Sequence, residues 1–355
     1  MKKSILITII FGVLIGAAQL TAAEKWEGSD SFDSVAKWKN FVKQGTNGEK
    51  GQIFLLGGQV VYSATVPTYD NAACWAWGST KKWTLIPTGR SWEINQEAIF
   101  PEASPRADYS RAGIGFALYA ESGRGSYRSV WARLVAGYNS NEIQSVLQAE
   151  SDFNFEARQG STGGGPLEES GDVPIGSRRF TLVFRHDALS RIDTFRIKDA
   201  NTGDVLYERI DPSTLSQARD CVVGPWISID RYSTWPGGST YLAADNWILR
   251  SITPDPISLN SKTSTSKGVA YSVAVTALGM TGAKLTGTVG LTVGTVSATL
   301  PITGSIDKNG HFALTAKGAG ANKGFGCMLL YDVTTGTYRP NKNTVTAPKQ
   351  KAIRF

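Results

Sequence analysis

Alternation of apolar and polar residues with a period of two is the feature that most constrains the fold of this chain. It recurs in short segments such as 111–120, 180–186 and 270–277, and Gly or Asn turns separate such segments. Successive side chains of a strand point to opposite faces, so this pattern is typical of half-buried strands. Only 31–41 and 212–219 are candidates for a helical turn. The pattern predicts an all-β protein built as a sandwich or barrel.

Several hairpins are predicted from turn residues. Segment 52–65 divides into two strands at Gly57-Gly58, a dipeptide that suits a tight hairpin turn. Segments 180–186 and 194–198 form a second predicted hairpin. The last long strand of this part of the chain is expected within 241–252.

Charge and tryptophan content divide the chain into two predicted domains. Residues 24–253 carry 24 Lys and Arg against 27 Asp and Glu, whereas residues 254–355 carry 11 against 3, a net charge of +8. All 10 Trp precede residue 248. We therefore predict a domain at 24–253, a polar linker at 254–268 and a small, basic, antiparallel β domain at 269–355.

The N-terminus has the three parts of a secretory signal peptide. Lys2 and Lys3 precede an apolar run at 5–18, and Thr21-Ala22-Ala23 places small residues before a predicted cut at Glu24. The apolar run is short for a bilayer of ~30 Å, so residues 1–23 predict export rather than a membrane span. The expected location is the periplasm, the cell surface or the extracellular space, which argues against nucleic acid as a partner.

Three cysteines leave the redox state open. In an oxidising compartment Cys74 and Cys221 could pair within the first domain and leave Cys327 alone in the second. The equal alternative is that all three are buried thiols. Disulfides are in either case not the main source of stability.

Three segments of the first domain resemble concanavalin A-like or laminin G-like jelly rolls, the lectin and glucanase superfamily, in a secreted protein of bacterial type. Segment 29–33 with Trp38 is similar to their first strand, 179–206 to a hairpin, and 241–249 to the closing strand that pairs with the first. The resemblance implies a two-sheet sandwich. It also makes Asp30 and Asp245 candidate ligands for a structural calcium; no other cofactor is expected.

A charged strand at 148–158 is similar to the catalytic strand of laminarinase-like hydrolases. The resemblance would make Glu150 the nucleophile and Asp152 its helper, but the acid/base position is Asn154, which cannot transfer a proton. Glu156 would lie ~20 Å from Glu150 along a strand, too far for a carboxylate pair. Glu150 and Asp152, ~7 Å apart, could reach the spacing of an inverting pair. A solvated polar face is the preferred interpretation, so we expect no enzyme activity and keep a glycoside hydrolase as an alternative.

The two histidines give no support to other catalysis. His186 and His311 lie in different predicted domains, and His186 is expected at the surface beside a turn. No metal-binding or Gly-x-Ser-x-Gly spacing occurs, so zinc and triad hydrolases have little support.

Aromatic residues are the better indication of function. Trp75, Trp77, Tyr232 and Trp235 are the candidate ligand-binding residues, because flat rings pack against the C–H faces of sugars. The tryptophans expected in the core are Trp26, Trp38, Trp131 and Trp247. We predict a secreted carbohydrate-binding or adhesive protein that binds a polysaccharide or glycan, with an anionic cell surface as a partner of the basic domain. A structural surface or matrix protein without a small ligand is the main alternative.

Overall fold

The computed structural model describes residues 25–43, 50–66, 74–80, 84–99, 110–118, 127–137, 140–150, 168–172, 179–213, 220–231 and 238–355. The predicted signal peptide at 1–23 lies outside these residues. Within them, every helix is too short and too polar to cross a membrane.

The first domain is almost entirely strand. Its elements are β1 (Gly28–Asp30), the 3-10 turn η1 (Val35–Lys37), β2 (Trp38–Lys43), β3 (Lys50–Leu56), β4 (Gln59–Val66), β5 (Cys74–Thr80), β6 (Thr84–Ile86), β7 (Trp92–Ile99), β8 (Ser110–Leu118), β9 (Tyr127–Gly137), β10 (Ser140–Glu150), β11 (Glu168–Asp172), β12 (Arg179–Asp187), β13 (Ile192–Asp199), β14 (Val205–Pro212), β15 (Cys221–Arg231) and β16 (Gly238–Ser251).

The second domain is also built from strands. Its elements are β17 (Lys262–Ser266), β18 (Val269–Thr281), β19 (Lys284–Val293), β20 (Val296–Ile306), β21 (Phe312–Lys317), the 3-10 turn η2 (Gly320–Asn322), β22 (Gly326–Asp332), β23 (Thr337–Tyr338), β24 (Thr344–Thr346) and β25 (Ile353–Arg354).

Two antiparallel sheets form a sandwich in the first domain. The first sheet has the order β14-β13-β12-β7-β16-β4-β3 with β1 beside β16, and the second has the order β11-β10-β9-β8-β15-β5-β2 with β6 beside β15. Successive strands β7 and β8 lie in different sheets, and so do β15 and β16, yet β7 pairs with β16 and β8 with β15. This nested crossing is a jelly-roll arrangement, and it confirms the predicted fold class.

The core lies between these two sheets. Trp92 and Ile94 of β7 and Phe184 of β12 come from the first sheet, while Val223 and Ile227 of β15 come from the second, and all belong to one buried cluster. Burying an aromatic or large aliphatic side chain stabilises a fold by about 1.5–3 kcal/mol. The cluster therefore holds the two sheets together.

The first and closing strands of the domain pair as the jelly-roll resemblance implies. Ser29 of β1 is opposite Ile248 of β16, and Asp30 is opposite Trp247. Beside this pair β16 carries a bulge, where Asn246 has a φ of 48°. The predicted closing strand and its pairing with the first strand are confirmed.

The second domain is a meander in which neighbours in sequence are mostly neighbours in space. Its sheet has the order β17-β18-β19-β20-β21-β22-β24-β25, with β23 beside β22. Three details differ from the sequence prediction. Residues 262–266 of the predicted linker form β17, and Leu259, also in the predicted linker, joins the domain core. The sequence pattern also predicts separate strands at 292–300 and 302–306, whereas residues 296–306 form the single strand β20 and residues 292–293 belong to β19.

The two domains are packed against each other. Ala188 and Leu189, in the turn between β12 and β13, are fully buried and belong to the core cluster of the second domain. Nearby, a Cβ on Gly89 would lie 3.1 Å from Ile306, the last residue of β20. Apolar contacts therefore join the two domains in addition to the chain segment that connects them.

The register excludes the alternative in which Cys74 and Cys221 form a disulfide. Cys74 is opposite Arg231 at one end of β15, whereas Cys221 is at the other end. Ten residues of strand span about 33 Å, far beyond the Cα separation that a disulfide allows. Cys221 and Cys327 are buried free thiols. Burial raises the pKa of both thiols above their ordinary value, that of Cys327 to about 12.

Candidate functional site

The second sheet has an inner and an outer face that its register distinguishes. Directly opposite residues of an antiparallel pair share a face, and neighbours along a strand alternate. Ile86, paired with Cys221, is buried in the core shared with the first sheet, as are Val223 and Ile227. Leu85, one residue before Ile86, is 43% exposed. The inner face therefore carries Cys221, Val223 and Ile227, and the outer face carries the alternate positions.

The register places both tryptophans predicted on β5 on the outer face. Trp75 is opposite Asp230 and Trp77 is opposite Ser228 of β15. These two β15 positions alternate with Ile227 and so belong to the outer face. Trp75 and Trp77 therefore occupy outer-face positions of β5.

Two further tryptophan positions lie on the outer face. Trp226 of β15 and Trp131 of β9 are both opposite Gly113 of β8, one on each side of it. The sequence pattern predicts Trp131 in the core, whereas the register assigns it to an outer-face position. The apolar residues Val130 and Leu134 of β9 occupy the alternate, inner positions.

Two arginines that the sequence analysis did not select also lie on this face. Arg111 of β8 is opposite Ser228 on one side and Arg133 of β9 on the other. Arg133 is in turn opposite Gln144 of β10. Both arginines alternate with apolar neighbours, and this signal could have identified them as residues of a polar strand face. It assigns them to the same face as the tryptophans only when the strand order is known.

The proposed nucleophile Glu150 is the last residue of β10, and the register puts it on the outer face opposite Tyr127 of β9. Gln148, two residues earlier, is opposite Ser129. The predicted helper Asp152 lies outside the described residues, as do Tyr232 and Trp235. Glu150 therefore shares a face with the candidate binding residues.

The outer face is wide enough for several sugar units. From β10 to β2 it crosses six strands, and neighbouring strands are about 4.8 Å apart, which gives a width of about 24 Å. Its positions combine aromatic residues with guanidinium, amide and hydroxyl residues. Aromatic rings pack on sugar C–H groups, and the polar residue types exchange hydrogen bonds with sugar hydroxyls.

A second, polar cleft of about 450 Å³ lies beside β1 and contains the calcium candidate Asp30. Asp30 Oδ1 accepts the backbone N–H of Phe32 at 2.9 Å, and Oδ2 forms an ion pair with Lys37. Trp247 lines the cleft but is only 7% exposed, so its ring offers little surface for stacking. Local partners therefore already engage both carboxylate oxygens of Asp30.

The other calcium candidate, Asp245, is near different charges. Burial raises the pKa of its carboxyl above the usual range, although the backbone N–H of Asn246 opposes this shift. Arg179 lies 3.9 Å from the carboxylate. Across the part of the chain that the structure describes, no three His, Cys, Asp or Glu side chains form a group that could hold a metal ion.

His186 is buried, which corrects the surface position expected from the sequence. Its Nδ1 lies 2.6 Å from Asp193 Oδ1 and 3.3 Å from Ser213 Oγ. A Ser-His-Asp triad uses opposite ring nitrogens for the carboxylate and the hydroxyl. Because both partners contact the same nitrogen here, the cluster is a structural network under the β12–β13 turn.

Comparisons with known proteins find likeness at the level of structure. No protein-family model and no curated protein matches the chain. Similar solved structures include endo-β-1,4-glucuronan lyase from the fungus Trichoderma reesei, with 14% identity, 63% of this chain and 95% of that chain covered, and a TM-score of 0.39. A Bauhinia forficata lectin in complex with GalNAc has 13% identity, covers 63% and 99%, and has a TM-score of 0.37. A Lotus tetragonolobus seed lectin has 11% identity, covers 62% and 100%, and has a TM-score of 0.34. Likeness of this degree carries no argument about activity, and the jelly-roll assignment is based on the strand order.

Proposed function

We propose that this chain is a secreted carbohydrate-binding or adhesive protein that binds a glycan on the outer face of its second sheet. The observation that carries the proposal is the register, which gathers Trp75, Trp77, Trp131 and Trp226 on one face of four adjacent strands. Tryptophan is usually mostly buried. Four of the ten tryptophans in outer-face positions therefore favour a binding role over a purely structural one.

The residue types between these tryptophans support a sugar ligand. Arg111, Arg133, Gln144 and Ser228 occupy the same face in register across β8, β9, β10 and β15. A linear glycan needs stacking surfaces for its rings and hydrogen-bond partners for its hydroxyls, and this face offers both kinds of residue. The signal pattern at 1–23 supports export, and the basic second domain would add contact with an anionic surface.

A binding experiment with the mature chain tests the proposal. Affinity electrophoresis against a panel of neutral soluble polysaccharides would identify a ligand, and a Trp75→Ala/Trp77→Ala variant would then be compared with wild type. We expect a loss of about 1–2 kcal/mol, or roughly 10-fold in Kd, because two stacking surfaces are removed. Phe54→Ala is the matched control, because Phe54 is an exposed aromatic residue of β3 in the first sheet.

Two results would contradict the proposal. One is the absence of binding to every polysaccharide in the panel, which would favour a structural surface or matrix protein. The other is an equal loss of affinity in the Phe54→Ala control, which would place the ligand away from the second sheet. Release of reducing sugar that disappears in Glu150→Gln would instead support the hydrolase alternative.

A further inference from the structure

One end of the second domain collects the turns and loops at 267–268, 294–295, 317–325 and 347–352. We call this set of segments the distal end. The strand registers define it: Ser266 pairs with Val269, Val293 with Val296, and Lys317 with Gly326, so each connection follows immediately. Gly326 is also opposite Thr346, which brings the last loop to the same end.

Backbone contacts tie the segments of the distal end together. Gly318 donates its N–H to the carbonyl of Phe325 at 2.8 Å, which closes the loop after β21. A Cβ on Gly324 would lie 3.2 Å from Pro348, so the loops after β21 and β24 are in contact. A Cβ on Gly294 would in turn lie 3.9 Å from Gln350 Nε2 and from Val269 Cγ1, so the segments of the distal end form one surface.

Five lysines and no acidic residue lie in this surface. They are Lys267, Lys317, Lys323, Lys349 and Lys351, and all five are exposed. No hydrogen bond or ion pair of any of these ammonium groups occurs within the described chain. The distal end therefore carries five formal positive charges without local compensation.

The acidic residues of the second domain lie elsewhere. Asp307 follows β20 and Asp332 ends β22, both at the opposite end of the sheet, where His311 and Arg339 lie nearby. The contact of Gly89 with Ile306 is at this opposite end too. The distal end, whose positive charge no acidic residue offsets, thus lies away from this contact with the first domain.

We propose that the distal end binds an anionic polysaccharide, one that carries carboxylate or sulfate groups at intervals along its chain. Lysines on three separate connections match a linear polymer with spaced charges, because each of these connections offers a cation at a different point of the surface. Lysine contacts sulfate and carboxylate groups as a compact point charge with three donors.

An anionic lipid surface is the less favoured occupant. Peripheral binding to a membrane commonly adds apolar side chains that enter the interface. In the second domain, which is described throughout, Met328 is the one large apolar side chain that is strongly exposed, and it lies within β22 rather than in a loop of the distal end. The proposed site is also independent of the outer face of the second sheet, so the protein would have two separate contacts with a glycan matrix.

The experiment compares two variants with the same change in net charge. The distal variant replaces Lys317, Lys323, Lys349 and Lys351 by Gln. The control variant replaces four lysines outside the distal end by Gln, and these are Lys262, Lys284, Lys308 and Lys342, which are all exposed as well. Binding of the mature chain to dextran sulfate and to a polyuronate is measured over a range of salt, with unmodified dextran as the uncharged probe.

We expect wild-type protein and the control variant to bind both polyanions, with weaker binding at higher salt. The distal variant should bind at least tenfold more weakly at low salt. The slope of its log Kd against log salt concentration should also be smaller by roughly 1–3, because fewer ionic contacts form and fewer counterions are released on binding.

Three results would overturn the inference: no salt-dependent binding by wild type, an equal loss in both variants, or tighter binding to vesicles of phosphatidylcholine and phosphatidylserine than to either polyanion. The last result would assign the surface to lipid. Far-UV circular dichroism and binding of the neutral glycan at the second sheet are measured in parallel. The distal variant should preserve both, so failure of this inference is distinguishable from failure of the proposed function.

Discussion

Gly304 offers the sharpest test of how closely the second domain is packed. It lies in β20, opposite Leu314 of β21. A Cβ at this position would lie 2.1 Å from the carbonyl oxygen of Ala313 and 2.8 Å from Leu314 Cδ2, distances that real Cβ atoms essentially never show. Gly304→Ala therefore requires β20 and β21 to separate locally.

The destabilisation by Gly304→Ala depends on which atoms the added Cβ would meet. Overpacking a well-packed core costs typically 1–3 kcal/mol, and a flexible side chain can move to reduce it. The carbonyl of Ala313 belongs to the backbone, and Leu314 is 1% exposed in the core, so neither can move freely. We expect Gly304→Ala to lower the free energy of unfolding by about 3 kcal/mol, a large part of the 5–15 kcal/mol of an ordinary domain.

Gly290→Ala in the neighbouring strand β19 is the matched control. Its nearest atom outside the adjacent residues would be the carbonyl oxygen of Ala274 at 3.9 Å, an ordinary contact. Because alanine loses less backbone entropy than glycine in a strand, the control should be neutral or stabilised by up to about 1 kcal/mol.

Urea unfolding followed by two probes measures the effect. Far-UV circular dichroism reports both domains, whereas tryptophan fluorescence reports the first, since all ten tryptophans precede residue 248. Gly304→Ala should shift the circular dichroism midpoint more than the fluorescence midpoint. A loss below 0.5 kcal/mol, or an equal loss in Gly290→Ala, would refute the packing argument.

Three further predictions concern buried or partly buried polar groups. Gln96 is fully buried, and among the residues that the structure describes neither of its amide atoms has a hydrogen-bond partner. Gln96→Met should therefore raise the free energy of unfolding by about 1–2 kcal/mol, and a lower melting temperature would contradict this. Burial favours a higher pKa at Asp307, but hydrogen bonds from nearby backbone N–H groups lower the pKa of its carboxyl overall. The ionised carboxylate of the folded protein therefore contributes stability at pH values above the ordinary Asp pKa, and this contribution is lost as pH falls through the folded pKa. Asp307→Asn should lower the free energy of unfolding by roughly 0.5–1 kcal/mol near pH 7 and by less at lower pH. A loss that does not change with pH would contradict this prediction. In a Cys74→Ser variant, Cys221 and Cys327 should react with a thiol reagent only after unfolding, because both are buried; reaction in the native protein would show that one of them is accessible.

Much of the strand content was predictable from local pattern. The hairpins at Gly57-Gly58 and at β12–β13 follow from turn residues and alternation, which act over a few residues. Strand β7 was missed, although it pairs with β12 and β16 near the middle of the first sheet. Its inner positions include the polar Gln96, and this weakens the apolar alternation by which a strand is recognised.

The candidate site was predictable only in part. Trp75 and Trp77 were selected from their residue type and spacing, whereas Arg111, Arg133 and Trp226 were not. These residues come from strands that are far apart in sequence and adjacent in space. Their common face depends on strand order and register, which are properties of the whole sheet.

The amino-acid sequence by itself determined that the chain is built from strands, that it divides into an acidic and a basic part, and where most turns lie. These properties depend on residue type and near-neighbour spacing, so they are present before any long-range contact forms. The tertiary structure decided which strands are neighbours, and thereby that Cys74 of β5 lies opposite one end of β15 while Cys221 lies at the other end. It also decided that five lysines from three connections share one surface, because only the antiparallel register brings those connections to the same end of the sheet.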